Sequence, residues 1–490
     1  MAIDPAGRPA EPGDLPRVFP DRAALEQALV RWFPGASGPL SQERGGREAA
    51  EARLAALDPQ AYGASRNHLD GAVTRLSPWI RHGVLSLAEL RRAAVAAAER
   101  GGEPISPPRA RGPAAGPGGL SGAGRLLQQL AWRDYWQRLW FVLGDGIHRD
   151  LEPLRTGHPP GSYAEHLPDD LAAAATGLAC IDAFATELIA TGWLHNHARL
   201  WLAAYLVHWR RVRWQAGARW FHSHLLDGDP ASNSLSWQWV ASSFSQKPYI
   251  FNRANLERFG AGHHCASCPA AVRGDATAPG GCPFDADYPW LQQRLFPALA
   301  AEPTAAPSGP PSATVPLASP PSGPAVIPAG SVRAPVLWIH AEALGPANPA
   351  LRAYPGRPAL AVLDPALLAC PEAGPWSRKR LAFLVECLQA LPLTIRRGDT
   401  LAELLAFAAR HRADGVVTSR AVDPALRRTM AALAAQLPLM VLDPEPFIPE
   451  PFLLEDAGQP PPDLRRFSRY WRWAEPRLLR PAGRPGGGGP

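Results

Sequence analysis

Lysine is nearly absent from this chain: all but two of its 50 basic residues are arginine. Set against 44 acidic residues, they leave a net charge of +6, which permits a basic nucleic-acid face without demanding one. Arginine grips phosphate with a planar fork, yet the bias accompanies abundant Ala, Gly and Pro, the pattern that GC-rich codons produce. Long apolar runs are missing too. None reaches the ~18–20 residues of a membrane span, and the opening MAIDPAGRPAEPG has no signal-peptide core, so the expectation is a cytoplasmic protein with no membrane partner. Cysteine is scarce, with six in the chain. In that compartment they are not structural disulfides, which leaves metal ligation or plain burial.

What is present is a globular composition, 46% hydrophobic and 19% charged, in 490 residues. That length suffices for two or three domains with sizeable cores. Residues 1–50 are broken by Pro and Gly and read as an N-terminal extension with one helical stretch near Arg22–Trp32. Residues 51–300 are mostly helical in pattern, with apolar residues recurring at three and four, as in Leu126, Leu127 and Leu130. Residues 301–333 are rich in Pro, Ser and Ala with almost no charge, the composition of an extended linker.

Beyond the linker, over 334–450, the rhythm changes. Short apolar runs at 336–340, 359–364, 393–397, 415–419 and 439–443 alternate with helical patterns at 378–391, 400–411 and 423–437. Such alternation predicts a doubly wound parallel α/β sheet. No GxGxxG follows the first strand, so a dinucleotide reading of this half has no support. Residues 451–490 form a C-terminal extension that contains FSRYWRW at 467–473.

The richest stretch runs from Trp193 to Asn252, through WLHNHARLWL, DGDPASNSLSWQWV and KPYIFN. It sets two acids one glycine apart (Asp227, Asp229) beside Arg199, Asn196 and Asn233, in a background dense in tryptophan. Polar groups at that density among helical aromatics suit a large, planar, hydrogen-bonding ligand. Upstream lie YGASRNHLDGAVTRLSPWIRHGVLS (62–86), where Ser77–Pro78 reads as a capped helix start, and RLLQQLAWRDYWQRLW (125–140).

Together these segments resemble the photolyase and cryptochrome family. The resemblance implies an all-helical FAD-binding photolyase-type domain followed by the α/β domain, which resembles the family's antenna domain and could carry an antenna chromophore. In the family the antenna domain comes first, and FSRYWRW resembles the segment that leaves it, so the chain reads as a circularly permuted member. The resemblance assigns Tyr62, Thr74, Arg75, Leu76 and Ser77 to the FAD pyrophosphate region and Arg133 to the flavin side. Arg199 would pair with Asp227 beside the ring, Asp229 would contact the flavin or ribityl region, and Asn233 would face N5. Trp132 and Trp239 would wall a cavity for a flipped-out pyrimidine pair, and Asn196 would contact it.

Two departures bear on activity. The carboxylate that bonds the damaged pyrimidines in the family is here Gln129, which can donate a hydrogen bond but supplies neither proton nor charge. Trp237 and Trp214 match the inner members of the family's electron relay, but the outer position falls near Gly161–Tyr163, with no tryptophan.

The remaining motif is C-x2-C at Cys265 and Cys268, with Cys282 after thirteen more residues and Cys180 far upstream. It resembles the iron–sulfur branch of the family, which implies a [4Fe–4S] cluster on these four thiolates. Zinc held with His263 or His264 and unliganded thiols remain open, while Cys370 and Cys387 read as core. The implied function is blue-light-driven repair of pyrimidine dimers in damaged DNA, by electron donation from reduced FAD. The alternatives are a cryptochrome-like receptor that signals through a partner, and a redox flavoprotein that does not use light.

Overall fold

The computed structural model describes residues 13–102, 120–260, 262–297, 332–370, 372–448 and 462–479. Of the expected linker, only 332 and 333 fall among them.

Five short strands, β1 (Val336–Trp338), β2 (Ala359–Leu363), β3 (Thr394–Arg397), β4 (Val416–Ser419) and β5 (Leu439–Leu442), pair in the order β3-β2-β1-β4-β5. Every pairing is parallel, with Leu337 opposite both Ala359 and Val417. The period of two sorts the side chains. Leu337, Ile339 and Ala361 join one core, while Val336, Trp338 and Leu360 join another with Phe407 and Met430 from the covering helices. Strands β1, β2 and β5 are apolar on both faces because helices cover both, as a doubly wound sheet requires, while the edge strand β3 (TIRR) and the end of β4 (VVTS) carry polar side chains. The order reverses between β1 and β4, which opens a crevice at their carboxyl ends.

The helical part is built around helix Gly122–Leu143 and the series Ala179–Thr191, Asn196–Ala204, Trp214–His224 and Pro230–Ala241. No helix among the described residues is long and apolar enough to cross a membrane. One core runs without a break from this bundle into the sheet, joining Trp79, Leu127 and Leu235 to Leu337 and Val417. A second core holds Trp201, Phe251 and Phe284 together with Cys180, Cys265, Cys268 and Cys282.

Both ends of the described chain are stitched into the half that lies further from them in sequence. Near the N-terminus, Leu15 N donates to Ile395 O (2.7 Å) and Arg396 Nε to Asp14 Oδ1 (2.8 Å), which covers the exposed edge of β3. Helix Arg22–Trp32 packs on Arg378–Gln389, where Arg22 Nε donates to Glu386 Oε1 at 2.7 Å. The expected N-terminal extension is therefore built into the α/β half. At the other end, helix Phe467–Leu478 packs on Gly122–Leu143. Tyr470 donates its hydroxyl to Asp134 Oδ2 (2.6 Å), which also accepts Arg138 Nε (2.6 Å), and Phe467 stacks on Trp132 with ring centroids 3.6 Å apart and planes 10° apart.

Candidate functional site

Three helices each turn one face toward a common cavity of about 410 Å³. From Gly122–Leu143 come Leu126, Gln129, Leu130, Trp132, Arg133 and Trp136; from Asn196–Ala204 come Asn196, Arg199 and Leu200; from Pro230–Ala241 come Ser232, Ser236 and Trp239. The spacings of three and four are those of one helical face. Tyr62, Thr74, Ser77 and Ile80 close another side, and Asp227 lies at the base of the acid loop. Trp239 is 36% exposed and so reaches solvent.

The acid loop is defined by its helix start. Asp229 is the N-cap of helix Pro230–Ala241, its carboxylate accepting Ser232 N at 2.7 Å, and proline occupies the first turn. The carboxylate is 2% exposed and densely satisfied. Gln137 Nε2 lies 3.0 Å from both oxygens, Arg133 is 3.5 Å away and Arg81 3.8 Å. Burial alone would raise the acid's pKa, but the charges of Arg133 and Arg81 and the Ser232 N–H outweigh it and hold the pKa below the usual range.

Asp227 is different. Arg199 Nη2 donates to its Oδ2 at 2.9 Å, whereas Oδ1 is buried with no partner. Gly228, between the two acids, accepts Arg81 Nε (3.2 Å) and Arg380 Nη2 (2.8 Å) on its carbonyl, and a Cβ there would come within 2.9 Å of the Arg380 guanidinium. Arg380 comes from helix Arg378–Gln389 of the α/β half, is fully buried, and lies over Trp376. Burial, then the neighbouring Arg81, pushes it down to about 9. The glycine is thus required by a close approach, and the α/β half holds the acid loop in place.

Tyr62, Thr74, Ser77, Gln129, Trp132, Arg133, Asn196, Arg199, Asp227 and Trp239 share the cavity. Others lie elsewhere. Leu76 is wholly buried in the core. Arg75 takes a left-handed backbone (φ 51°) and sits 3.9 Å over Trp193. Asp229 stands behind the cavity wall. Asn233 donates Nδ2 to Ala218 O at 2.7 Å on the side facing helix Trp214–His224. Ser77 begins a helix, but as its first residue and without the capping bond expected of it; the cap position is Leu76. Sequence reasoning missed Arg81, Gln137, Ser232, Ser236 and Arg380. Helical spacing from Gln129 and Arg133 leads to Gln137, and that from Trp239 leads to Ser236. No local signal announces Arg380.

The cavity's donor set fits a dinucleotide carrying a planar heterocycle. Two guanidiniums and several hydroxyls suit a pyrophosphate, and the bare Asp227 oxygen needs an N–H or O–H that the described residues do not provide.

The four candidate cluster thiols are all buried. Burial first, then the charges of Cys265, Cys268 and Cys282, push the Cys180 thiol up, so the four lie close enough to feel one another. Among the described residues, no three Cys, His, Asp or Glu side chains converge on a single metal ion. Cys387 is core, as expected, while Cys370 is only half-buried, in a left-handed turn (φ 40°) that lines the crevice between the two halves.

That crevice holds about 270 Å³ between the carboxyl edge of the sheet and Arg81, Trp140 and His148 of the bundle. Its polar side includes a pair of half-buried acids. Glu342 accepts Val422 N and Asp423 N at 2.8 and 3.1 Å, and burial raises its pKa. Burial, then Glu342, raises Asp423 to about 6.

Residues 126–263 match the family described as the FAD binding domain of DNA photolyase. Among curated proteins, the deoxyribodipyrimidine photo-lyase of Streptomyces griseus is 32% identical over 229 residues, 46% of this chain and 43% of that one. An enzyme of the same name from Thermus thermophilus is 32% identical over 247 residues, 50% and 53% of the two chains. The chain spans about half the length of the curated relatives it matches. A solved cryptochrome from Synechocystis covers 55% of each chain at 22% identity with a TM-score of 0.40. The chain thus carries a photolyase-type FAD-binding domain.

Proposed function

We propose that this protein uses FAD and blue light to split pyrimidine dimers in damaged DNA. One observation carries the reading: two aromatic walls, Trp132 and Trp239, open into the same cavity as an Arg199–Asp227 pair that has an unfilled hydrogen-bonding oxygen. A flavin held at Asp227 would then share one cavity with bases stacked on tryptophan. When bound and reduced, FAD supplies the photoexcited electron. The protein's own groups do the rest. Asp227 accepts from the ring, and Arg133 and Arg199, with Thr74, Ser77 and Ser232, provide the cationic and hydroxyl contacts. Trp132 and Trp239 stack the extruded bases, repaying a flipping cost of a few kcal/mol, and Gln129 and Asn196 hydrogen-bond their edges. Asn233 is assigned to the N5 side by resemblance, and Trp237 and Trp214 to electron supply.

The test is direct. Protein loaded with FAD and reduced should restore a thymine-dimer oligonucleotide under blue light and leave it unchanged in the dark. Absence of light-dependent repair in flavin-replete protein would remove the reading. Gln129 favours the second reading, a cryptochrome-like photoreceptor acting through a protein partner, because the cavity position that the resemblance gives to the lesion-bonding carboxylate is a glutamine.

Two further cofactors belong to the proposal. The crevice at the β1–β4 switch point is the place for an antenna chromophore: its acid pair suits a heterocycle presenting N–H groups, and its walls are apolar. The thiols of Cys180, Cys265, Cys268 and Cys282 are the ligands for a [4Fe–4S] cluster. A cubane joins thiolates that stand further apart than one ion can reach, which counts against zinc here. Cys180 sits in the first turn of helix Ala179–Thr191, where the Ile181 N–H offsets a small part of the burial that raises its thiol. The seating of Phe467–Leu478 on Gly122–Leu143 supports a permuted domain order, since the last described helix completes the flavin-binding bundle.

A further inference from the structure

The relay expected from the sequence has no outer tryptophan, and the structure offers another way to end it. Trp237 packs edge-on against Phe221 (centroids 4.9 Å apart) and lies over Gly217, where any Cβ would collide with its ring carbons Cη2 and Cζ3. Trp214 is one turn before Gly217 on the same helix face, so its backbone stands one turn from this contact. Trp214 is 2% exposed, yet its Nε1 lies 2.5 Å from Oδ1 of Asp150, a residue open to solvent. Tyr163, the aromatic nearest the vacant outer position in sequence, is within electrostatic reach of Asp150, but its hydroxyl is engaged by Thr156 at 2.8 Å.

We infer that Asp150 is the proton acceptor for one-electron-oxidised Trp214, and that Trp214 is the outer end of the relay. An indole that has lost an electron becomes much more acidic at Nε1, and a carboxylate already hydrogen-bonded there takes the proton without rearrangement. The electron leaves Trp214 toward oxidised Trp237; the Nε1–H bond breaks and an O–H bond forms on Asp150. The products are a neutral indolyl radical and a carboxylic acid that passes its proton to water. Losing the proton traps the hole, because an electron returning to the neutral radical no longer regenerates the starting indole directly. A dissolved thiol restores Trp214 by giving one electron and one proton. The primary oxidant is the photoexcited oxidised isoalloxazine, and to that extent the inference rests on the proposed function.

The test does not need the flavin. Pulse radiolysis of flavin-free protein with azide radical oxidises tryptophan, and the difference between the native protein and Trp214→Phe isolates the Trp214 signal. In Asp150→Asn, conversion of that radical cation into the neutral radical should slow about a hundredfold, the scale of assistance by a positioned base, and Asp150→Glu should recover most of it. Flash photolysis of FAD-loaded protein should show the same slowing and a lower yield of long-lived reduced flavin, with bound FAD per chain as the folding control. Equal deprotonation rates in native protein and Asp150→Asn would overturn the inference, as would a yield lost only in Tyr163→Phe. A chain that takes up no FAD would sink the functional reading while leaving the radiolysis result to decide this one.

Discussion

Arg199 satisfies one oxygen of Asp227 and leaves the other buried and bare. A structural ion pair in a helical bundle would ordinarily satisfy both, since a stranded acceptor costs about 1–3 kcal/mol. The bare oxygen marks where the protein expects a donor from outside. Asp227→Asn should therefore weaken FAD binding about 10- to 100-fold, the scale of one hydrogen bond to a charged group. Titration by flavin fluorescence measures it, and unchanged affinity would mean that the oxygen faces no ligand.

Gln129 lines the cavity beside Trp132. If the protein repairs dimers weakly because no acid reaches the lesion, Gln129→Glu should raise light-driven repair by about tenfold or more, within the range expected of a positioned proton donor. Repair yield per absorbed photon on a thymine-dimer oligonucleotide is the measurement. Native protein that already repairs at the ceiling would instead end the photoreceptor reading.

The stack of Phe467 on Trp132 predicts an effect at a distance in sequence. Stacked aromatic pairs contribute about 0.5–1.5 kcal/mol beyond their buried area. Phe467→Ala should free Trp132 and weaken binding of lesion-containing DNA several-fold while FAD content stays near native, and Phe467→Tyr should rescue it. Loss of flavin together with DNA binding would point to general unfolding instead.

His208 makes stability depend on pH. It lies in the π-helical turn Tyr205–Trp209, its Nε2 is 3.0 Å from Val240 O, and its Nδ1 is buried without a partner. Burial, more than any neighbouring charge, brings its pKa down to about 4. The unfolded chain takes up the proton first, so the stability is present above the ordinary histidine value of ~6.5 and is lost as pH falls from there toward about 4. At about pH 5 the loss from this one group is roughly 2 kcal/mol. His195, His197 and His340, also near 4 through burial, steepen the slope. Urea melts across that range should be flatter for His208→Gln by its share alone.

Cys180→Ser should remove most protein-bound iron and the broad visible absorption of a cluster while leaving the flavin bands, checked by iron and sulfide analysis of anaerobically purified protein. Full zinc occupancy without sulfide would replace the cluster by a single-ion site.

The parts of this molecule that repeat locally were legible in its sequence. Each of the five runs contains a strand, because a strand covered on both faces is mostly apolar. Gln129 and Arg133, or Asn196 and Arg199, could be grouped because four or three residues separate neighbours on a helix face. What escaped notice is long-range. Arg380 reaches Gly228 from the other half of the chain, and nothing in RKRLAF distinguishes a guanidinium that props an acid loop from one that faces water. Residues 1–50 read only as an extension because the pairing partner, the edge of β3, lies far downstream. Ser77 looked like a cap because Ser–Pro usually is one; here the chain turns one residue earlier.

The seating of Phe467–Leu478 on the helix that carries Trp132 also sets a timetable. Tyr470 and Asp134, which share a hydrogen bond, are 336 residues apart, so at ~5–20 residues per second a ribosome needs roughly 17–67 s to travel between them. During that interval the nascent bundle must wait with one tryptophan wall unsupported. That brace forms only after the interval has passed, so a ribosome stalled after β5 but before Phe467 would release a chain whose sheet strands are already made but whose Trp132 has no Phe467 to stack on.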